Sequence, residues 1–439
     1  MGFDEYKKFM DMYHYVKDNL YLVESDASIG KTDYNTPLLL GSMASVLNGK
    51  ILYIGEYGLG KTMIAETLSA LTTNLPRPIM EASSIKGNPE VTYETMIGRP
   101  DLGDLNQGKE TIRWSGFVYA DSKIIDEINR IPPNKQNVIL TGMQNNSWSF
   151  MNEYIRTKPT PWFTTKNYKD AGNTEIIPPI MDRLELCVES KFPGVNKARV
   201  IRYKNDRELM DYHDIIQDYN KIINTKGITY KEFKTRTDSL KHTVRQRAKQ
   251  ELGIELLTEQ DINNIQQDMQ KISFDRKANQ FLDVVVAELG SCVHFGQKRV
   301  LDICPSDCHY TNYACFKTQN GISIRTNKAI DKYAKAMAWI TGKKNVTIDH
   351  IQSILPYTLW HKLLFHEKDM RQLEKDPREG PLQLYVTNDT LAEVKKRAIK
   401  IQPAQEEFIK DIMNGRIKDA LAKAKVQDHP VFRSYEKGT

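Results

Sequence analysis

The chain has 439 residues, 40% hydrophobic and 27% charged, which are globular proportions and exclude a disordered or fibrous class. Its formal charge of +6 is too small an excess, on its own, to argue for nucleic acid. A mean hydropathy of −0.54 and the lack of a long uncharged apolar run exclude a membrane-spanning helix, and five cysteines are too few for a disulfide framework, so the expected compartment is a reducing cytoplasm.

At this length two or three domains are expected. The opening MGFDEYKKFM mixes acids, bases and aromatics, unlike a secretory leader, and Tyr6 breaks the myristoylation pattern. Residues 5–48 read as helical, with Phe9, Met12, Tyr13 and Val16 on one stripe and a second apolar run from Leu38 to Val46. Ile51–Ile54 read as a buried strand that enters a glycine loop at Gly55, and Met63–Leu71 as the helix after it. Between about 78 and 190 short apolar runs alternate with polar turns, the pattern of an α/β domain. From about 203 the pattern turns to charged helical stretches at 203–224, 230–252, 258–272 and 275–290. A cysteine-rich loop follows at 292–315, then helices at 327–341 and about 347–366. In 327–341 the residues Ile330, Tyr333, Ala334, Met337 and Ala338 share one face. A break from Pro377 to Pro381 precedes two more charged helical stretches. The expected division is an α/β region with N-terminal helices at 1–202, a basic helical stretch at 203–254, a helical region with the cysteine-rich loop at 255–365 and a helical tail at 366–439.

Gly55-Glu56-Tyr57-Gly58-Leu59-Gly60-Lys61-Thr62 satisfies G-x-x-x-x-G-K-[ST] at every fixed position, and Met63 follows it. Glycines let consecutive N–H groups turn inward onto phosphate oxygens, and the helix from Lys61 adds its positive end. Lys61 is the mobile charge for the β- and γ-phosphates of ATP, and Thr62 offers a hydroxyl to Mg²⁺. A glycine turn could match by chance, but a strand before and a helix after it are the context the motif requires. The second acidic signal is Ile124-Ile125-Asp126-Glu127, with Asp126 standing 65 residues after Lys61. Asp126 would hold the Mg²⁺ shell, and Glu127 would orient and deprotonate the attacking water. An exposed acidic turn is the alternative for these two residues taken alone.

Asp126-Glu-Ile-Asn-Arg-Ile-Pro-Pro-Asn-Lys-Gln136, with Leu140 to Gln144 after it, resembles the DEINR-x-PP-x-x-Q stretch of MoxR-type AAA+ ATPases. Met96-Ile-Gly-Arg-Pro100, Trp162-Phe-Thr-Thr-Lys-Asn167, Ile177-Pro-Pro-Ile-Met-Asp-Arg-Leu184, Gly321-Ile-Ser-Ile-Arg325 and Val346-Thr-Ile-Asp349 resemble further segments of that family, in the same order over about 35–365. Leu184 stands where the family usually has Phe, and Ile324 where it has Pro. The resemblance implies an α/β AAA+ P-loop core with a parallel sheet, an α-helical lid and a helical C-terminal tail. It implies that Asn167 polarises the attacking water or reads the γ-phosphate, and that Arg183 reaches the nucleotide of a neighbouring subunit. It also implies that Arg325 touches phosphate from the lid and that Arg130 sits near the subunit boundary. A turn cap at Asn167, a surface ion pair at Arg183 and a helix-start cation at Arg325 are the plain alternatives. The function implied is Mg²⁺-dependent ATP hydrolysis in a hexameric ring that remodels a protein client or inserts a metal into one.

Four of the five cysteines, Cys292, Cys304, Cys308 and Cys315, lie close together with His294 and His309, and only Cys187 lies elsewhere. These can supply a tetrahedral structural Zn²⁺ site, or they can be buried thiols around a loop. Residues 226–249 carry eight Lys/Arg and two acids, a balance of +6 that equals the whole chain's net charge. A solvated helical hairpin accounts for such a run, and phosphate-backbone binding is the alternative. That alternative supports a rival function, a DNA-dependent motor or restriction-type translocase on the same ATPase module. A nucleotide-gated scaffold that does not hydrolyse is a second rival. In the tail, Leu391, Val394, Ala398 and Ile401 are spaced helically, which suits docking on the chain's own lid or on a neighbour.

Overall fold

The computed structural model describes residues 2–168, 174–203, 209–292, 294–297, 299–300 and 302–438. They divide into two units, 1–268 and 269–439.

The first unit is organised by one run. In β1 (Lys50–Gly55) Ile51 to Tyr53 are wholly buried, because residues apolar on both faces suit the centre of a covered parallel sheet. Four more strands complete a five-stranded sheet: β2 (Ile85–Lys86), β3 (Lys123–Asp126), β4 (Trp162–Asn167) and β5 (Leu186–Glu189). Their order is β5-β1-β4-β3-β2, and every pairing is parallel. Asn167 lies opposite Gly55, Glu189 opposite Ile54 and Lys86 opposite Asp126, so the strands finish along one edge. The α1 helix (Phe3–Tyr15) buries the expected stripe of Phe9, Met12 and Tyr13, while α2 (Thr36–Val46) and α3 (Lys61–Thr73) are buried on nearly every face. The expected continuous helicity of 5–48 does not hold. A π-helical turn covers Val16–Leu20, and Ala27–Ile29 pairs antiparallel with Thr32–Tyr34 around Gly30, whose φ is 61°. A left-handed glycine in a two-residue connection is a hairpin signal that the flanking helical periodicity masked.

Beyond the sheet, α4 (Pro133–Asn145), α5 (His213–Ile223), α6 (Tyr230–Glu251) and α7 (Glu259–Lys271) follow. The basic run of 226–249 lies largely on α6, where Lys234 and Lys241 turn inward and the other cations stay at least partly exposed. Lys241 meets Asp121 at 2.7 Å, Lys226 meets Asp104 at 2.5 Å and Arg247 donates twice to Asp214, at 2.8 and 2.5 Å. Lys234 pairs with Asp121 and Lys249 with Glu255. Among the described residues, five of the eight cations therefore face carboxylates supplied by other parts of the chain. The picture of a wholly solvated face is corrected on this point, since Lys234 and Lys241 are buried.

A further lysine is buried beneath that cluster. Lys123 is 1% exposed and donates to the carbonyls of Val118 (2.9 Å) and Ala120 (2.6 Å). Burial pushes its ammonium down to about 7, with Asp121 opposing and Lys234 adding to the fall. The folded chain thus releases this proton below the ordinary lysine value of about 10.4. The resulting penalty is fully present below about 7 and is relieved as pH rises towards 10. Unfolding free energy is therefore expected to rise by about 2 kcal/mol between pH 7 and 9. Urea titrations should show that rise in the parent chain and a flatter profile in Lys123→Met; the same slope in both would contradict it.

The second unit is helical, with α8 (Arg276–Gly290), α9 (Ile324–Ile340), α10 (Ile348–Leu359), α11 (Leu382–Met413), α12 (Ile417–Val426) and α13 (Pro430–Gly438). Its centre holds a carboxylate. Glu288 on α8 is 0% exposed and accepts from Arg397 Nε (2.9 Å) and Nη2 (2.7 Å), from the Ala314 amide (3.1 Å) and from His429 Nε2 (3.2 Å). The Val431 amide donates to His429 Nδ1 at 3.1 Å, which leaves Nε2 as the protonated, donating nitrogen. Arg397 also stacks over Tyr313, 4.7 Å from the ring centre. One buried acid thus ties α8, the cysteine-rich loop, α11 and the tail together, and the tail docks on its own chain.

The zinc alternative finds no support in this unit. Among the described residues no group of three or more His, Cys, Asp and Glu side chains is placed to hold a metal ion. Cys308 and Cys315 turn inward and pack with Tyr310 and Tyr313. Cys292 is buried in the short pairing of Ser291–Cys292 with Gly296–Gln297, Cys304 is half-buried, and His309 is committed to Asp428 at 2.8 Å. Apolar packing against aromatic rings accounts for Cys308 and Cys315. Among the described residues no helix is long and apolar enough to cross a membrane.

Candidate functional site

The site forms along the edge where the strands end. After β1 the chain bends through Gly58 (φ 72°) and Gly60 (φ 73°), the left-handed region that residues with a Cβ avoid. Gly60 caps α3, and among the described residues no side-chain cap bond forms there. Its leading N–H groups are therefore presented by the loop, with the helix's positive end behind them. Lys61 is nearly buried, and its Nζ donates to the carbonyls of Gly55 (2.9 Å) and Glu56 (2.6 Å). Burial lowers the Lys61 pKa, and Asp126, Glu127 and Glu56 oppose that fall. Tyr57, at the tip of the loop, is exposed; Leu59 and Met63 flank Gly60 and Thr62 in the chain.

Two threonines hold the first acid. Asp126 Oδ1 accepts from Thr62 Oγ1 at 2.7 Å and from Thr165 Oγ1 at 2.6 Å. Glu127 leaves β3 in the left-handed region (φ 52°), a strain on the order of 1–3 kcal/mol for a residue with a side chain. Several bonds hold it there. Its amide donates to Thr165 Oγ1 (2.8 Å), Oε1 accepts from Asn167 Nδ2 (2.5 Å), and Oε2 pairs with Arg130 Nε (3.0 Å). Gly87 beside β2 is the neighbour that this turn demands: its amide donates to the Asp126 carbonyl (2.7 Å), and a Cβ there would lie 2.1 Å from the Glu127 carbonyl oxygen.

The structure thus brings Lys61, Thr62, Asp126, Glu127 and Asn167 together from three adjacent strand ends. Arg130, expected near a subunit boundary, pairs with Glu127 of its own chain. Arg183 ends the short helix Pro178–Arg183, where it donates to the Pro179 carbonyl (2.8 Å) and to Gln144 Oε1 on α4 (2.6 Å). Arg325 is exposed in the first turn of α9, in the second unit. Sequence reading missed Thr165, whose hydroxyl links Asp126 to the Glu127 amide. The signal was present: Thr165 and Asn167 are two apart on β4 and so share a face. Gly87 carried no such signal, because its role rests on a contact with a residue 40 positions away.

A polar cleft of about 700 Å³ lies elsewhere in this unit, lined by Asn74, Asp121, Lys158, Lys241 and Glu259 among others. Its walls come from the segments leading into β3 and β4 together with α2, α3, α6 and α7, and from none of the residues at the strand ends that carry the site.

Residues 50–184 match the family model described as AAA domain (dynein-related subfamily), and residues 314–381 match the AAA lid domain. No curated protein matches the chain. A crystal structure described as a "putative ATPase" from Cytophaga hutchinsonii ATCC 33406 superposes with a TM-score of 0.57 over 89% of this chain and 94% of that one, at 15% sequence identity. At that identity the likeness is one of fold. The fold therefore comprises an AAA+ domain on a five-stranded parallel sheet, a helical AAA lid domain and a helix-rich C-terminal region.

Proposed function

We propose that the chain is a MoxR-like AAA+ ATPase that hydrolyses Mg²⁺-bound ATP at the boundaries of a ring, a hexamer, and uses the cycle to remodel a protein client. The observation that carries this reading is the convergence of Lys61, Thr62, Asp126, Glu127 and Asn167 on one strand edge. The hydroxyl of Thr62 and the carboxylate of Asp126, 2.7 Å apart, are an oxygen donor pair that suits Mg²⁺. The bound ion would supply charge neutralisation on the β- and γ-phosphates. Loop N–H groups bind the phosphates, and Lys61 leaves its carbonyl partners to meet the terminal ones. Glu127 orients a water on the γ-phosphorus and takes its proton as the bond to the β,γ-bridging oxygen breaks, giving ADP and phosphate. Asn167 holds both Glu127 and that water in place. Arg183 completes the charge cage on a neighbouring subunit's nucleotide, and Arg325 contacts phosphate from the lid.

Support for a protein client comes from two hairpins in the first unit. Gly98–Pro100 pairs with Ile112–Trp114, and Ser147–Phe150 with Glu153–Arg156. Asn152 Nδ2 donates to Glu110 at 2.5 Å, and the Ile112 amide donates to Glu153 Oε1 at 3.1 Å, so the two are tied together. Leu102, Leu105, Met151 and Tyr154 remain exposed on them, which suits contact with another polypeptide. The inward pairing of the α6 cations weakens the case for a DNA track.

Ring dependence is tested by turnover against protein concentration, with light scattering in ATP and Mg²⁺. Turnover per chain is expected to rise as assemblies form, and Arg183→Ala to lower it about 10³-fold with assembly intact. A chain that stays monomeric at every concentration while turning over fully would remove the role of Arg183 in a neighbour's site.

A further inference from the structure

Two side chains beside the phosphate loop take no part in the chemistry above. Tyr168 follows Asn167 at the end of β4, and Glu189 closes β5. Between those strands lies β1, with Gly55 opposite Asn167 and Ile54 opposite Glu189. The Tyr168 hydroxyl still reaches Glu189 Oε1, at 2.5 Å. Their bond therefore crosses the end of β1 at the root of the phosphate loop. That root is tight, since a Cβ on Gly55 would stand 2.6 Å from the Ser190 carbonyl oxygen. Burial raises the Tyr168 pKa, and the bond to Glu189 with the nearby charges raises it further, so the phenol keeps its proton and donates.

Stability alone does not account for this pair. Among the described residues, the second carboxylate oxygen, Glu189 Oε2, is buried without a hydrogen-bond partner. Leaving such a group unsatisfied is unfavourable, and an apolar pair of similar size would avoid that cost. What the bond does secure is the strand end that carries Asn167, whose amide is 2.5 Å from the Glu127 carboxylate.

We propose that Tyr168 and Glu189 are positioning residues: their bond across β1 sets the Asn167 amide, and through it Glu127, for attack on the γ-phosphate. The role rests on the reading that this site hydrolyses ATP. It is tested on the full chain by steady-state ATP turnover, by affinity for a fluorescent ATP analogue and by melting temperature. Tyr168→Phe is expected to lower kcat about tenfold, since small misplacements of a reacting group cost up to 10²-fold, while affinity stays within about twofold. Glu189→Leu should give the same loss, and the double variant no further loss, because both remove one bond. Glu189→Gln keeps an acceptor oxygen and should retain most of the turnover. A Tyr168→Phe chain that turns over like the parent would overturn the role, as would losses that multiply in the double variant or a change confined to affinity. A parent chain with no turnover removes the hydrolysis reading, and the positioning role with it.

Discussion

Glu127→Gln is expected to lower ATP turnover by about 10²–10⁴-fold, the range that one general base supplies, and to leave nucleotide affinity nearly unchanged. The expectation follows from what holds the side chain. Asn167 and Arg130 take one carboxylate oxygen each, and Thr165 fixes the backbone amide, so the residue is aimed despite its left-handed φ. Glutamine keeps the size and the acceptor for Asn167 but cannot take a proton from water. Binding depends on Lys61 and the loop amides, which the substitution leaves alone. Paired measurements of kcat and of ATP-analogue binding check this. Unchanged turnover would show that Glu127 is not the base, and slow turnover with lost binding would show a damaged loop. Equal inactivity of parent and variant would favour a nucleotide-gated scaffold.

The largest stability effect is expected at Glu288. Replacement by Leu leaves the half-buried Arg397 and the buried His429 without their acid, a change that costs about 3–5 kcal/mol. For a unit of this size the corresponding fall in melting temperature is roughly 10 °C. Calorimetry should resolve it as a shift of one transition, because the two units need not unfold together. Adding Arg397→Met should restore much of the loss, since an apolar pair replaces a lone, half-buried cation. Burial alone would raise the Glu288 pKa, but His429 and Arg397 hold it below the ordinary carboxylate range. Its contribution is therefore present above that range and is lost as pH falls below it. A variant that melts with the parent would show that Glu288 does not hold the tail.

The parts of the site that were legible in the sequence are those written in consecutive residues. Gly55 to Thr62 is a strand-loop-helix device complete within eight positions, and Asp126 with Glu127 ends its own strand. Parallel order and register were not legible residue by residue, yet they decide that Asn167 meets Glu127 and that Tyr168 meets Glu189. Charge was legible as a count and misleading as a surface. The excess at 226–249 is met by Asp104, Asp121 and Asp214, which stand apart from it in the chain. Cysteine spacing misled for the same reason, because the orientation that turns Cys308 and Cys315 onto Tyr310 is tertiary.

Phosphate release from Mg²⁺-bound ATP at low salt, with and without single- and double-stranded DNA, tests the central claim most directly when run on the parent chain and on Lys61→Ala. Steady turnover that vanishes in Lys61→Ala and is indifferent to DNA is the predicted result. Absent turnover, or turnover that survives loss of Lys61, would contradict hydrolysis at this site, and strong stimulation by DNA would contradict a protein client in favour of a nucleic-acid motor.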